Sequence, residues 1–219
     1  MGILASYSIN TQWYLDVNRI ARTSAWAHGV MELYSHYLGI GLLAAVLLVA
    51  WWRARSAEVP ARSVAGVLWA AGGTAVAWVV AHFVLKPAVA EPRPYLALHH
   101  VSVLLARTHG YSFPSGHATI AGAVMVGLWV ARRRLAAVVA GVLGLLLCFG
   151  RVYTGMHYPF DVVGGLLVGA VIVAAVAPAA VAVLTRVDLV LLRGPLGPLV
   201  ASRAVGRHTR REEVASQAR

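Results

Sequence analysis

Long apolar runs, separated by short polar stretches, make up most of this chain. A membrane-crossing helix needs roughly 17 to 25 predominantly apolar residues. Five runs can be placed against that length, at about 31–52, 63–85, 115–131, 135–150 and 160–185. The pattern predicts an all-α fold, a multi-pass transmembrane helical bundle of five spans, because helices satisfy their own backbone hydrogen bonds in lipid.

Residues 7–23 have a different pattern, in which apolar positions recur at helical spacing against a polar face. Ile9, Trp13, Val17 and Ile20 follow one another at intervals of three or four residues. A helix of this kind is typical of the membrane interface, where it lies flat with one face in lipid. The sequence therefore predicts an interfacial N-terminal helix before the first span.

The hydrophobic pattern divides the chain into a membrane-embedded domain, residues 1–190, and a basic tail, residues 191–219. Glycine and proline recur early in the tail and break any regular structure there. With the amino terminus on side one, five spans leave six basic residues on side one and thirteen on side two. Basic residues favour the cytoplasmic side, so the tail is predicted to be cytoplasmic and side one to face outward.

The composition agrees with a membrane protein and argues against nucleic acid as a partner. Hydrophobic residues make up 59% of the 219 residues, charged residues 12%, and the mean hydropathy is +0.71. The net charge of +11 comes from clusters that flank the apolar runs, as expected of topology signals. The predicted partners are the lipid bilayer and a lipid within it, and the sequence leaves the oligomeric state open.

Three polar segments that are distant in sequence end at the predicted outer face. KPAVAEPRP follows the second span, PSGH begins the third, and GRVYTGMHYPFD joins the fourth to the fifth. Lys86, Arg93 and Arg151 provide cationic donors, and a guanidinium can hold a phosphate through two parallel hydrogen bonds. Ser115 is placed as a helix N-cap and Gly116 permits close backbone approach, so first-turn amides can also face an anion. These segments predict an oxyanion site.

Two histidines in these segments suit phosphoryl transfer. Asp161 follows His157 by four residues, so its carboxylate can reach the imidazole and fix its tautomer. A neutral, oriented imidazole is a nucleophile or base, and His117 on the neighbouring helix is placed to act as general acid. The predicted intermediate is a phosphohistidine.

Glu32 and His36 lie four residues apart near the outer end of the first span. They either line the substrate site as a partnered pair or are simply interfacial residues, and the sequence does not decide between these alternatives.

Together, these segments resemble the signature of the type-2 phosphatidic acid phosphatase superfamily, which includes soluble vanadium haloperoxidases. The resemblance covers residues 86–161. It implies phosphate binding by Lys86, Arg93, Ser115, Gly116 and Arg151, and catalysis by His117, His157 and Asp161, with no metal or other cofactor. The chain departs from the family pattern in having Gly150 where serine commonly precedes the arginine, and in having five predicted spans where several members have six.

The stretch EPRPYLALHHVSVLLARTHGYSFPSGHAT, residues 91–119, most resembles the undecaprenyl-diphosphate phosphatases linked to bacitracin resistance. This implies a polyprenyl diphosphate phosphatase of the bacterial cytoplasmic membrane with an outward-facing site. Phosphatidylglycerol phosphate, phosphatidic acid and other prenyl phosphates are alternative substrates of the same chemistry. A non-catalytic lipid-binding or transport protein is the alternative of another class, although such a protein would place charges within its spans.

Overall fold

The computed structural model describes residues 8–202, and within that range the chain is helical with no β-strand. The main helices are α1 (Ile9–Thr23), α2 (Ala25–Ala54), α3 (Pro60–Val80), α4 (Gly116–Val130), α5 (Arg134–Tyr153) and α6 (Pro159–Leu191). Short helices span Lys86–Val89, Pro94–Ala97 and Gly197–Val200. The predicted all-α class is confirmed for the described residues.

Four helical segments are long and apolar enough to cross a membrane. They are Ala25–Ala54, Pro60–Ala97, Arg134–Tyr153 and Pro159–Leu191. The third predicted span, α4, has 15 residues and rises about 22 Å, less than the roughly 30 Å of a hydrocarbon core. The structure thus supports a membrane protein with four candidate spans and one shorter apolar helix, while the count of five remains a prediction.

Two of the predicted spans contain a π-helical turn in the structure. In α2 the wider turn covers Tyr34–Leu38, and after α3 it covers Ala81–Leu85, leading directly into the helix Lys86–Val89. Such turns often occur at functional sites because they shift the register of the side chains that follow. Here the second turn directly precedes Lys86 of the predicted oxyanion site, and the first contains His36, a possible lining residue.

The closest helix crossing in the bundle is that of α4 with α6. A Cβ atom added at Gly169 would lie 2.0 Å from the Thr119 carbonyl oxygen, and one at Gly122 would lie 2.2 Å from the Leu166 carbonyl oxygen. Only glycine permits backbones to approach so closely, as in other small-residue crossings of membrane helices. This crossing fixes the start of α4 against the start of α6.

Helix α1 packs beside those helix starts. Asn18 is fully buried, donating its Nδ2 to the Ser102 carbonyl at 2.8 Å and accepting from the Ser102 amide at 3.0 Å. The Phe160 amide, in the first turn of α6, donates to Asn10 Oδ1 at 3.0 Å. Three residues of the predicted apolar stripe of α1 are exposed, namely Ile9, Trp13 and Ile20, while Val17 packs against the core. The position of α1 at a membrane interface stays a prediction.

The first part of the predicted tail packs onto the bundle. Val200 is buried within the main apolar core, and the Ser202 amide donates to the Arg55 carbonyl at 2.9 Å. Residues 1–7 and 203–219 lie outside the described residues, so most of the predicted tail and its boundary at residue 191 stay predictions.

Candidate active site

The starts of α4 and α6 meet the ends of α5 and of the helix Lys86–Val89 at one end of the bundle. Because α4 and α5 run in opposite directions, the start of α4 and the end of α5 lie side by side, and α6 begins there. The predicted site residues that are buried at this end are Lys86, Arg93, Ser115, Arg151, His157 and Asp161.

His157 and Asp161 form the pair that the spacing predicted. His157 Nδ1 lies 3.3 Å from Asp161 Oδ2, with both side chains buried. This contact places the imidazole proton on Nδ1, because the carboxylate oxygen accepts it. The other ring nitrogen, Nε2, then carries the lone pair and accepts a long hydrogen bond of 3.5 Å from Arg93 Nη1.

Two further donors hold the Asp161 carboxylate in place. The Tyr158 amide donates to Oδ2 at 2.8 Å, as expected for an acidic residue in the first turn of a helix, and the Ser112 hydroxyl also donates to it. Ser112 is fully buried and lies 3.4 Å from His157 Nδ1. It therefore orients the pair, although the sequence reading assigned it no role. Its position two residues before the PSGH segment is the signal that could have identified it.

Lys86 and Arg93 are tied to the loop that leads into α4. Lys86 Nζ donates to the Tyr111 carbonyl at 2.8 Å and to the Ser112 carbonyl at 3.2 Å. Arg93 Nε donates to the Gly110 carbonyl at 3.1 Å, and its Nη1 donates to the Met156 carbonyl, also at 3.1 Å. An ammonium has three donors and a guanidinium five, so each cation keeps donors for an anion while its position is fixed by the backbone.

Arg151 is positioned by α2, a helix outside the three predicted segments. Its Nη1 lies 3.3 Å from the Ser35 carbonyl and 3.4 Å from the Ser35 hydroxyl. Ser35 is fully buried in the π-helical turn of α2. The sequence prediction included the neighbouring His36 but not Ser35. The available signal was a small polar residue at the start of an apolar run.

Ser115 and His117 occupy the start of α4, with Gly116 as its first residue. Ser115 is the N-cap by position, but its hydroxyl makes no capping hydrogen bond. The first-turn amides of α4 therefore lack a side-chain cap and face the end of the helix where the cations lie. His117 is half-buried in the first turn of α4, and the Ser115 amide just before it donates to the Asp161 carbonyl at 3.0 Å. The start of α4 therefore lies beside the segment that holds His157 and Asp161.

His36 and Glu32 are placed differently with respect to this site. His36 is exposed, contacts the Tyr37 ring with a centroid distance of 4.1 Å, and directly follows Ser35, which contacts Arg151. Glu32 is half-buried on the preceding turn. The structure brings His36 to the edge of the site, and a partnered role for Glu32 stays a prediction.

Three buried polar atoms at this end have no hydrogen-bond partner within residues 8–202. They are Ser115 Oγ, Arg151 Nε and Asp161 Oδ1. Buried polar groups are normally paired, since an unpaired one costs about 1 to 3 kcal/mol. Ser115 Oγ and Arg151 Nε are donors, so an oxyanion is the kind of group that would satisfy both.

The charge state of His157 follows from its surroundings. Burial lowers the pKa of His157 to about 3, and the nearby Arg151 and Arg93 cations act in the same direction. The hydrogen bond to Asp161 opposes this shift without cancelling it. The imidazole is consequently neutral at physiological pH, the form that a nucleophile requires.

Comparison with known proteins shows which family the chain resembles. The model of the PAP2 superfamily matches residues 66–183. Undecaprenyl-diphosphatase BcrC of Bacillus subtilis is 37% identical over 98 residues, 45% of this chain and 50% of that protein. An undecaprenyl-diphosphatase of Sulfolobus acidocaldarius is 32% identical over 85 residues, 39% of this chain and 41% of that protein. The chain thus spans half or less of the length of these curated relatives.

Two solved structures share the fold. A transmembrane PAP2 type phosphatidylglycerolphosphate phosphatase from Bacillus subtilis superposes with a TM-score of 0.58 at 22% identity, covering 80% of this chain and 87% of that one. Aquifex aeolicus LpxE superposes with a TM-score of 0.56 at 21% identity, covering 81% and 99%. The family model covers more than half of the chain and contains every residue of the three polar segments, so the chain belongs to the PAP2 superfamily.

Proposed function

We propose that this protein is a membrane lipid phosphatase that removes the terminal phosphate of a polyprenyl diphosphate, most specifically undecaprenyl diphosphate. The products are the lipid monophosphate and inorganic phosphate. The observation that carries the proposal is the buried His157, whose Nδ1 faces Asp161 while Nε2 lies 3.5 Å from Arg93. A neutral imidazole nucleophile beside a guanidinium is suited to attack on a phosphoryl group.

The proposed reaction has two steps. His157 Nε2 attacks the terminal phosphorus, the bond to the bridging oxygen breaks, and His117 protonates the departing lipid monophosphate. His117 then takes a proton from water, the resulting hydroxide attacks the phosphohistidine, and inorganic phosphate leaves with His157 restored. Lys86, Arg93 and Arg151 offset the charge that develops on the phosphoryl oxygens.

Two observations support a lipid as the substrate. The site lies at the ends of helices whose other surfaces are apolar, so a phosphate can enter while its hydrocarbon remains in the bilayer. The relatives with matching segments are named undecaprenyl-diphosphatases, which favours a polyprenyl diphosphate over phosphatidylglycerol phosphate or phosphatidic acid. The excess of basic residues at the opposite end of the bundle supports an outward-facing site, because basic residues favour the cytoplasmic side. At the outer face the enzyme would recycle the lipid carrier of cell-wall synthesis.

The test is phosphate release by purified full-length protein from undecaprenyl diphosphate, phosphatidylglycerol phosphate and phosphatidic acid, side by side. We expect the first to be turned over fastest, with activity retained in excess chelator. A preference for another of these lipids would overturn the substrate assignment. If none of the three lipids released phosphate, the proposal that the protein is a phosphatase would be wrong.

Variants test the roles of the two histidines. We expect His157→Ala to abolish turnover and His117→Ala to lower it by about 100- to 10,000-fold, the usual contribution of general acid catalysis. His99→Ala, at an exposed loop histidine, is the matched control. Acid-quenched wild-type protein should carry labelled phosphate that is absent from His157→Ala. Full activity in either catalytic variant would contradict the assigned roles.

A further inference from the structure

A cavity of about 790 Å³ lies at the end of the bundle opposite to the candidate active site. Its walls come from the start of α3, the turn between α4 and α5, and the second half of α6. Because the site residues lie at the far ends of these same helices, a molecule in this cavity cannot be the substrate bound for reaction.

One wall of the cavity is strongly cationic. Its lining includes four arginines from three separate segments, Arg62, Arg132, Arg133 and Arg186, and no acidic residue of the described chain. Within residues 8–202 these four guanidiniums form no hydrogen bond or ion pair with protein, and Arg133 Nε is buried without a partner. By contrast, the neighbouring Arg134 stacks over the Trp129 ring at 4.0 Å, and Arg55 donates to the Pro198 carbonyl.

The opposite wall is apolar and belongs to a candidate membrane span. It consists of Ala174, Ala177, Pro178, Val181 and Ala182 on α6. Proline has no amide hydrogen, so Pro178 leaves the carbonyl of Ala174 without its helical hydrogen bond. The cavity thus combines guanidinium donors that can bind an anion, the unpaired carbonyl of Ala174 and an apolar surface.

We propose that this cavity binds an anionic glycerophospholipid of the membrane. The lipid phosphate would contact the four arginines, and an acyl chain would cover the apolar wall that includes Ala174. A free inorganic anion would leave that wall uncovered, which costs free energy in proportion to its apolar area. The chain's own residues 203–219 are a poor occupant, since they carry five arginines against two glutamates and would be repelled by the cationic wall.

Thermal unfolding of the purified full-length chain in non-ionic detergent tests the headgroup. We expect phosphatidylglycerol to raise the melting temperature and phosphatidylcholine to leave it unchanged, because a ligand that binds only the folded state stabilises it. Inorganic phosphate can also bind the candidate active site, so any shift that it causes should not depend on the four lining arginines. Replacing all four lining arginines with glutamine should remove the phosphatidylglycerol shift. The control Arg53→Gln/Arg134→Gln lowers the charge at the same end outside the cavity and should retain it. A shift with inorganic phosphate that equals the phosphatidylglycerol shift and is likewise lost in the arginine variant, or loss of the phosphatidylglycerol shift in the control, would overturn the proposal.

The apolar wall is tested separately, by native mass spectrometry of retained phosphatidylglycerol. Ala174→Phe should fill the cavity and abolish retention, while Ala175→Phe, at the adjacent exposed position that does not line the cavity, should not. This pair of variants still tests lipid binding in the cavity if the arginine variant fails to fold. Equal retention of phosphatidylglycerol in both variants would overturn the assignment. Retention only after residues 203–219 are removed would also overturn it, because the tail would then be the occupant of the cavity.

Discussion

Gly150 and Ser35 show how a departure from the family pattern is accommodated at the scale of single residues. A Cβ atom at Gly150 would lie 3.1 Å from Ser35 Cβ, so the missing side chain leaves room for a serine from another helix. The Ser35 hydroxyl lies 3.4 Å from Arg151 Nη1 and 3.4 Å from the Thr154 hydroxyl. We interpret Ser35 as supplying the hydroxyl contact that the family pattern places directly before the arginine.

This interpretation predicts that Ser35→Ala lowers kcat/KM about tenfold, the size expected from one hydrogen bond to a charged group. Because Ser35 acts through Arg151, the effect should appear mainly as weaker binding of vanadate, a phosphate mimic, measured by inhibition. The exchange Ser35→Gly/Gly150→Ser returns a hydroxyl without crowding and should recover most of the loss. An exchange variant no better than Ser35→Ala would contradict the role.

The buried His157 predicts how stability depends on pH. Its folded pKa of about 3 lies below the ordinary value of about 6.5, so between these values the unfolded chain binds a proton that the folded chain does not. Stability therefore rises with pH across this window and is lost as pH falls through it. Melting temperatures of the wild type should drop between about pH 7 and pH 5, and His157→Gln should flatten that dependence while the exposed-site control His99→Gln keeps it. An unchanged profile in His157→Gln would contradict the shift.

At the scale of elements, the crossing of α4 and α6 positions the two predicted catalytic histidines. Thr119 lies two residues after His117 and Gly169 lies about two turns after Asp161, so a small separation of the helices there would widen the site. The sequence pattern located both helices closely, since α4 covers Gly116–Val130 where 115–131 was expected. Their contact was not predictable, because a glycine in an apolar run gives no information about which backbone approaches it.

We expect Gly169→Ala to be strongly destabilising, since the new methyl group would lie 2.0 Å from a backbone oxygen that cannot move independently. Gly72→Ala is the matched control, because no atom lies within 4 Å of a Cβ at that position of α3 and alanine favours a helix over glycine by about 1 kcal/mol. Thermal unfolding in detergent should show a lower melting temperature for the first variant alone. Equal melting temperatures would mean that the crossing is not needed for the fold.

At the scale of the whole molecule, two ends that differ in their number of basic residues are separated by the apolar length of the bundle. One end holds the candidate active site and the other holds the arginine-lined cavity. The single cysteine, Cys148, is buried, which makes single-cysteine labelling a clean test of the predicted orientation.

In a Cys148→Ser background, we expect His99→Cys at the active-site end to react with a membrane-impermeant maleimide in intact cells. Leu196→Cys, half-exposed at the opposite end, should react only after the membrane is permeabilised, because the positive-inside bias predicts that this end is cytoplasmic. Labelling with the reverse pattern would invert the proposed topology.

The amino-acid sequence by itself determined the helical class, the approximate helix positions and most of the chemistry of the site. It could do so because apolar length and the spacing of Lys86, Arg93, His117, His157 and Asp161 are local properties of the chain. The helix ends were less predictable, as α6 continues to Leu191 past the expected 185, since nothing in a long apolar run marks where lipid contact ends.

Only the tertiary structure decided which groups hold those residues in place. The groups that hold the site residues come from positions 17 to 116 residues away from them in sequence. They are Ser112, Ser35 and the carbonyl oxygens around Lys86 and Arg93. Contacts of this kind depend on how closely the helices cross, and the glycine-mediated approach of α4 to α6 is set by packing in three dimensions. The arginine-lined cavity arises in the same way, because its wall combines residues from three segments that share no motif.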